Sequence, residues 1–156
     1  GEDLYRKSIY TIWKRTAAPP TMLLFDAPNR ETCLVRRGRT NTPLQALALL
    51  NEVTYVEAAR KLGERMIVEG GNDISSRLKH GFRLTLSREP SARELEIMRQ
   101  GVERDTQRFL RDIPGAKKLI ALGEAKAKVG LIPAELAAFT LAANILLNLD
   151  ECVTRE

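Results

Sequence analysis

The stretch "PAELAAFTLAANILLNL", residues 133–149, is apolar almost all the way round a helix. A helix with no polar face has to be covered on every side, by lipid or by protein. Lipid is disfavoured, because a membrane span needs roughly 20 consecutive apolar residues. Glu135, Asn144 and Asn148 interrupt this one. The segment is therefore expected to be the central core helix of a globular body, opened by Pro133, a residue suited to the first helical turn. The chain must supply other helices to pack around it. Its 156 residues, 44% of them hydrophobic, fit one domain with a sizeable core. Apolar positions are mostly Leu, Ala and Ile, aromatics make up only 5%, and Arg, Glu and Lys fill the polar positions. That mix favours helix over strand, so the expected fold is all-α: an irregular bundle of about five to seven helices around an apolar C-terminal helix. The expectation is one helical module over 1–156.

The other helices are marked by their ends. In "RRGRTNTPLQALALLN", residues 36–51, Thr42 is a potential N-cap, Pro43 suits the first helical position and Gln45 completes a T-x-x-Q capping box. Beyond it Leu44, Leu47 and Leu50 form a stripe, and Val56, Ala59, Leu62 and Met66 continue an apolar face. Asn51 is a candidate cap for a second helix, with a break near it. "GGN" at 70–72 ends that helix and Asn72 is the candidate start of the next, in which Ile74, Leu78, Phe82 and Leu86 recur every fourth residue. Pro90 stops it. Ser91 and Glu94 form a second capping box, opening a long helix with Leu95, Met98, Val102, Phe109 and Ile113 on its buried side and Pro114 as its stop. Arg99, Glu103, Arg104, Asp105 and Arg108 read as its solvated face. A short helix over "GAKKLIAL" follows, and residues 123–132 read as a flexible link. At the start of the chain, Leu4, Tyr5, Ile9, Ile12 and Trp13 lie near helical spacing; helix is preferred, with strand as the alternative. "TAAPPT" breaks regular structure, and "MLLFDAPNRETCLVRRGR" predicts a turn of helix followed by an irregular connection.

Chemistry is sparse. The net charge of +5 comes almost entirely from residues 1–40, with eight Lys/Arg against four Asp/Glu. There is no long basic stripe and no nucleic-acid motif, so nucleic acid is a disfavoured partner. His80 is the only histidine, which excludes a multi-histidine metal site and strains any Ser-His-Asp arrangement. No phosphate-binding glycine loop, zinc-helix motif or nucleophile elbow is present, and neither a metal nor a cofactor is expected on this chain. Cys33 and Cys152 match no metal spacing; free thiols are preferred to one long-loop bridge, with buried structural cysteine the usual state. Glu57, Glu64, Glu94, Glu96, Glu103 and Asp105 stand next to arginines on helices and read as solvated ion pairs. The chain begins with Gly and shows no secretory signal, and is read as an excised piece.

One concentration of charge remains. Arg36, Arg37 and Arg39, with Asn41, precede the Thr42 cap. A helix N-terminus has unsatisfied N–H groups and a positive dipole end, and arginine forks fit carboxylate or phosphate oxygens, so the cluster is a candidate anion site. The alternative is an internal clamp, in which these arginines pair with Asp26, Glu31, Asp150 or Glu151 and tie the irregular N-terminal part to the core. The clamp is preferred because the cap side chain already satisfies part of the helix end. No catalytic residue is assigned.

Y-T-x-W-K-R-T (10–16), F-D-A-P-x-R-E-x-C (25–33) and R-R-x-R-T-N-T-P-L-Q-A-L (36–47), with "GFRLTLSREPSARELE" and "AELAAFTLAANILLNLDECVTRE", resemble the C-terminal part of the planctomycete cytochrome c-associated domain of unknown function. The departures are Glu52-Val53 where the family has Asp-Pro, Cys152 where an aromatic is common, and the absence of the family's N-terminal half. The resemblance implies an extracytoplasmic, multidomain parent whose haem is carried by another segment, since no C-x-x-C-H occurs here. It implies partners within the same parent chain, and an apolar face open to a second copy. It transfers no catalytic residues, and the chain is read as leaning away from an enzyme. The expected function is thus a structural or interaction module of a cell-envelope protein, supporting a haem-bearing neighbour. The rivals are a hydrolytic enzyme acting on surface polysaccharide, with an arginine of the cluster paired to Asp26 or Asp150, and an anion or acidic-glycan binding module.

Overall fold

The computed structural model describes residues 5–14, 17–28, 31, 33–36 and 38–154. Among these residues eight α-helical segments run in order: α1 (Pro20–Leu24), α2 (Pro43–Asn51), α3 (Val53–Glu69), α4 (Ile74–Leu86), α5 (Ala92–Arg111), α6 (Ile113–Ile120), α7 (Pro133–Leu147) and α8 (Asp150–Val153). Among the described residues the only β-type pairing is an isolated bridge between Lys14 and Ala17. The all-α expectation therefore holds, including the central place of the 133–149 segment. The chain divides into two compact units, residues 1–46 and residues 47–156.

In the second unit α7 is the axis. Ten of its 15 residues are buried, among them Leu136, Phe139, Ala143 and Leu146, and α3, α5 and α6 supply most of the cover. Small residues allow close approach. A Cβ on Gly63 of α3 would stand 3.1 Å from the Phe139 carbonyl and the Thr140 nitrogen, so at this crossing the helix backbones nearly touch. Met66, Leu78, Phe82, Val102 and Phe109 fill the space around them. The few polar groups of α7 are satisfied within the body. The Thr140 hydroxyl donates back to the Leu136 carbonyl at 2.7 Å, and Asn144 donates to the carbonyl of Leu50 at 3.3 Å. Glu135 accepts from Arg77, whose guanidinium lies 5.7 Å from the Phe139 ring centre.

The segment before α7 is where the sequence reading needs most correction. Residues 121–132 contain no helix or strand, yet α3 ties them down at successive backbone groups. Glu57 accepts from the amides of Glu124 (2.6 Å) and Ala125 (3.3 Å). Arg60 donates to the Ala125 carbonyl and, at 2.9 Å, to Glu64. Glu64 in turn accepts from the Lys128 amide at 3.0 Å, and Lys61 donates to the Lys126 carbonyl at 2.8 Å. Gly123 has φ +90°, and a Cβ there would lie 1.8 Å from the Glu57 carboxylate; only glycine lets that carboxylate reach the backbone. Glu57, Arg60 and Glu64 are thus buried, not a solvated face. Their positions at i, i+3 and i+7 place them on one side of α3, and it is the strap of backbone over them that removes them from water. Arg60 is wholly buried and its Nε finds no partner, a residual cost of this arrangement. Asp105 of α5 is likewise buried rather than solvated.

Helix ends differ from expectation by single residues. The break near residue 51 is present, but Asn51 closes α2 and Glu52 caps α3, its carboxylate accepting from the amides of Thr54 and Tyr55. Asp73, not Asn72, caps α4. The helix α5 stops at Arg111, and Asp112 caps α6, placing Ile113 and Pro114 in that helix's first turn. The Ser91–Glu94 capping box forms as predicted. The helix expected over 4–15 does not form over its described residues: one 3-10 turn, Ser8–Tyr10, is present. Ile9 and Ile12 are 79% and 84% exposed, so the apolar spacing there has no surface to bury against, and a short helix without such burial is marginal.

Removing the Arg60 guanidinium leaves Glu64 and the Ala125 carbonyl without their buried donor. The variant Arg60→Ala is expected to lose about 3–5 kcal/mol of stability, read as a lower denaturant midpoint in circular dichroism.

Candidate functional site

The arginine-rich approach to α2 is built around a hydrogen-bonded knot. Asp26 follows α1 with φ +57°, a left-handed conformation that short polar residues adopt more readily than most. Its carboxylate accepts from the Thr40 amide at 2.7 Å and from the Thr40 hydroxyl, 2.8 and 2.9 Å from its two oxygens. Gln45 connects this turn to the helix start. Its side-chain amide donates to the Leu24 carbonyl (2.7 Å) and the Thr40 oxygen (3.0 Å), while its side-chain carbonyl accepts from the Thr42 amide (2.8 Å). The Gln45 amide donates to the Thr42 hydroxyl at 3.2 Å, closing the capping box. One side chain, 1% exposed, holds both ends of the 24–45 excursion.

Sequence reasoning identified Gln45 as half of a capping box but not as this hub. Nothing in the sequence marks that role: Gln45 is the only buried residue of α2, whereas the predicted stripe of Leu44, Leu47 and Leu50 is exposed. The polar knot, not the leucine face, anchors the start of α2.

Of the cluster, Arg36 and Arg39 are exposed and form no ion pair with a described residue. Arg37 lies outside the described residues. Thr42 is half-buried in its cap, Asn41 and Glu31 are exposed, and Asp26 is taken up by Thr40. Asp150 and Glu151 belong to α8 in the second unit. Glu151 has a different arginine: Arg88 donates to it through Nε and Nη2, both at 2.7 Å. Arg88 also grips Glu94 at 2.7 and 3.1 Å and lies 5.4 Å from the Phe82 ring centre, joining the end of α4, the start of α5 and α8. His80 faces Glu69 at 3.2 Å. Neither cysteine is in a disulfide; Cys33 is exposed, contrary to the buried state expected of it, and Cys152 is half-buried. Among the described residues no group of three or more His, Cys, Asp or Glu side chains is placed to hold a metal ion. Among the described residues no helix is long and apolar enough to cross a membrane.

Two consequences are testable. Replacing Gln45 by Leu deletes the hub and leaves the Leu24 carbonyl and Thr42 amide without partners. A loss of about 1–3 kcal/mol is expected, seen as faster hydrogen exchange over residues 22–46 with α3–α7 unaffected. The Arg88 guanidinium, with the Ser91 amide and hydroxyl, lowers the Glu94 carboxyl to about 2 from an ordinary 4.5. A depressed carboxyl contributes stability above its unfolded value and loses it as pH falls through the folded one. Stability should therefore decline between about pH 4.5 and 2, and Glu94→Gln should flatten that decline in acid titrations followed by circular dichroism.

No curated protein and no solved structure matches the chain. A family model does match, over residues 1–102, which include the knot, the arginine cluster, α3 and α4 and end within α5. The likeness read over "AELAAFTLAANILLNLDECVTRE" lies outside that match. The chain belongs to the PSD1 family, described as a protein of unknown function (DUF1553).

Proposed function

We propose that this chain is a structural and interaction module of a larger exported cell-envelope protein, in which its N-terminal unit is covered by other domains of the same parent, a haem-bearing cytochrome c-like domain among them. One observation carries the reading. Among the described residues of 1–46, Gln45 alone is buried. Ile9, Tyr10, Ile12, Leu23, Leu34 and Val35 are exposed, although the family match runs through the whole segment. A segment with so little apolar burial has small stability of its own and gains it from whatever covers those side chains. The planctomycete, cytochrome c-associated and extracytoplasmic parts of the reading rest on the resemblance of the motifs alone.

Amide hydrogen exchange tests it. Residues 5–14 of the isolated chain should exchange fast, and the same amides in the longer parent chain should slow by about tenfold or more. Ile9→Asp with Ile12→Asp should remove that protection without changing exchange in α3–α7. Equal exchange in the two chains would refute the module reading. The exposure of Arg36 and Arg39 supports a second reading, an anion or acidic-glycan binding module. On that reading Arg36→Ala with Arg39→Ala abolishes retention on a sulfated polysaccharide column while the fold persists.

A further inference from the structure

In the second unit, α5 and α7 run antiparallel, and their seam is open along one side. Two adjoining hollows lie on it and share Val102. One, of about 310 Å³, lies between Thr106, Gln107 and Leu110 of α5 and the start of α7 around Ile132 and Ala134. The other, of about 170 Å³, lies between Ile97, Gly101 and Asp105 of α5 and Ala138, Ala142 and Ile145 of α7. The rims carry exposed Ile97, Leu110, Ile132 and Ile145. From residue 97 to residue 110 the seam measures about 20 Å at the helical rise per residue. A Cβ on Gly101 would meet nothing within 4 Å, so the groove floor is unfilled there.

Four charged side chains border the two hollows: Glu103 and Glu135 at the larger, held by Arg99 and Arg77, and Arg104 and Asp105 at the smaller; of the three carboxylates Asp105 is the most buried. The Asp105 side chain is 13% exposed, and its contacts are to the neighbouring Arg104 at 3.3 and 3.5 Å, long for a charge-assisted bond. Residues adjacent in a helix do not face each other, and the Arg104 side chain is 76% exposed, directed largely to water. A buried carboxylate so weakly matched, bordered by apolar rims, is complementary to a cation presented from an apolar surface. We infer that the α5–α7 seam is a docking groove for an amphipathic helix of another polypeptide, one that carries a lysine or arginine within its apolar face to meet Asp105. Apolar anchors at i, i+4 and i+7 fill the hollows, and the cation supplies orientation. This groove lies wholly in the second unit and does not depend on the exposed residues of the first.

The test uses a 15-residue helical peptide with leucines along one face and a single lysine in that face, and a twin with glutamine replacing the lysine. The lysine peptide should bind saturably to the intact chain by fluorescence anisotropy, with shifted amide resonances at Gly101, Ala138 and Ala142. The glutamine twin and the Asp105→Asn variant should each weaken binding by about tenfold. Gly101→Leu fills the floor where space is open, keeps the helix, and should abolish binding with circular dichroism unchanged, so a folding defect in Asp105→Asn does not decide the matter. Absence of saturable binding at about 1 mM peptide, equal binding of the two peptides, or binding that survives Gly101→Leu overturns the inference. A concentration-dependent dimer abolished by Gly101→Leu assigns the groove to a second copy of this chain and overturns it equally.

Discussion

The absence of any polar face on α7 sets the terms for the whole second unit. A helix of that kind is stable only when enclosed, and with ten residues buried it needs neighbours on all sides. α3 comes closest, through Gly63, and α5 and α6 close other sides. The helices then differ in how much of their own surface α7 leaves them. α3 keeps a second side, occupied by Glu57, Arg60 and Glu64, and this has to be covered as well. The strap that leads into α7 covers it, so the same connection that positions the core helix also shields the polar layer beneath.

That layer combines two demands that usually compete. A buried arginine and two buried carboxylates are expensive to desolvate, and the expense is offset only when nearly every lone pair and proton is used. Here most of the partners are main-chain amides and carbonyls of a segment with no regular structure, whose buried polar groups must be hydrogen-bonded as well. The polar side chains and the irregular backbone thus solve each other's problem. This arrangement specifies one path for the strap, where an apolar α3 surface would accept many.

The features legible in the sequence were those with local causes. The all-α class, the central helix, the Pro43 start and the Ser91–Glu94 box follow from residues within one turn of each other, and they form. What was not legible depends on partners far along the chain. Glu64 looks like any surface glutamate until residue 128 reaches it, and Gln45 looks like a cap until Leu24 and Thr40 meet it. Leu44, Leu47 and Leu50 fail in the opposite sense, since helical spacing identifies a stripe but not whether anything lies against it. The arginine cluster illustrates both limits: its proximity to a cap is visible in the sequence, whereas its partners are a matter of tertiary structure.

The strap also bears on how the protein is made. Arg60 and Ala125 are 65 positions apart, and the family match ends at residue 102, before either the strap or α7 begins. During synthesis α3, α4 and α5 emerge with their core-facing side chains uncovered and the Arg60 layer still hydrated. Chain extends at about 5–20 residues per second, so these helices wait for seconds before the segment that encloses them arrives. The core of the second unit can therefore close only once α7 has been made, and until then the apolar faces of α3 and α5 lack the surface they pack on.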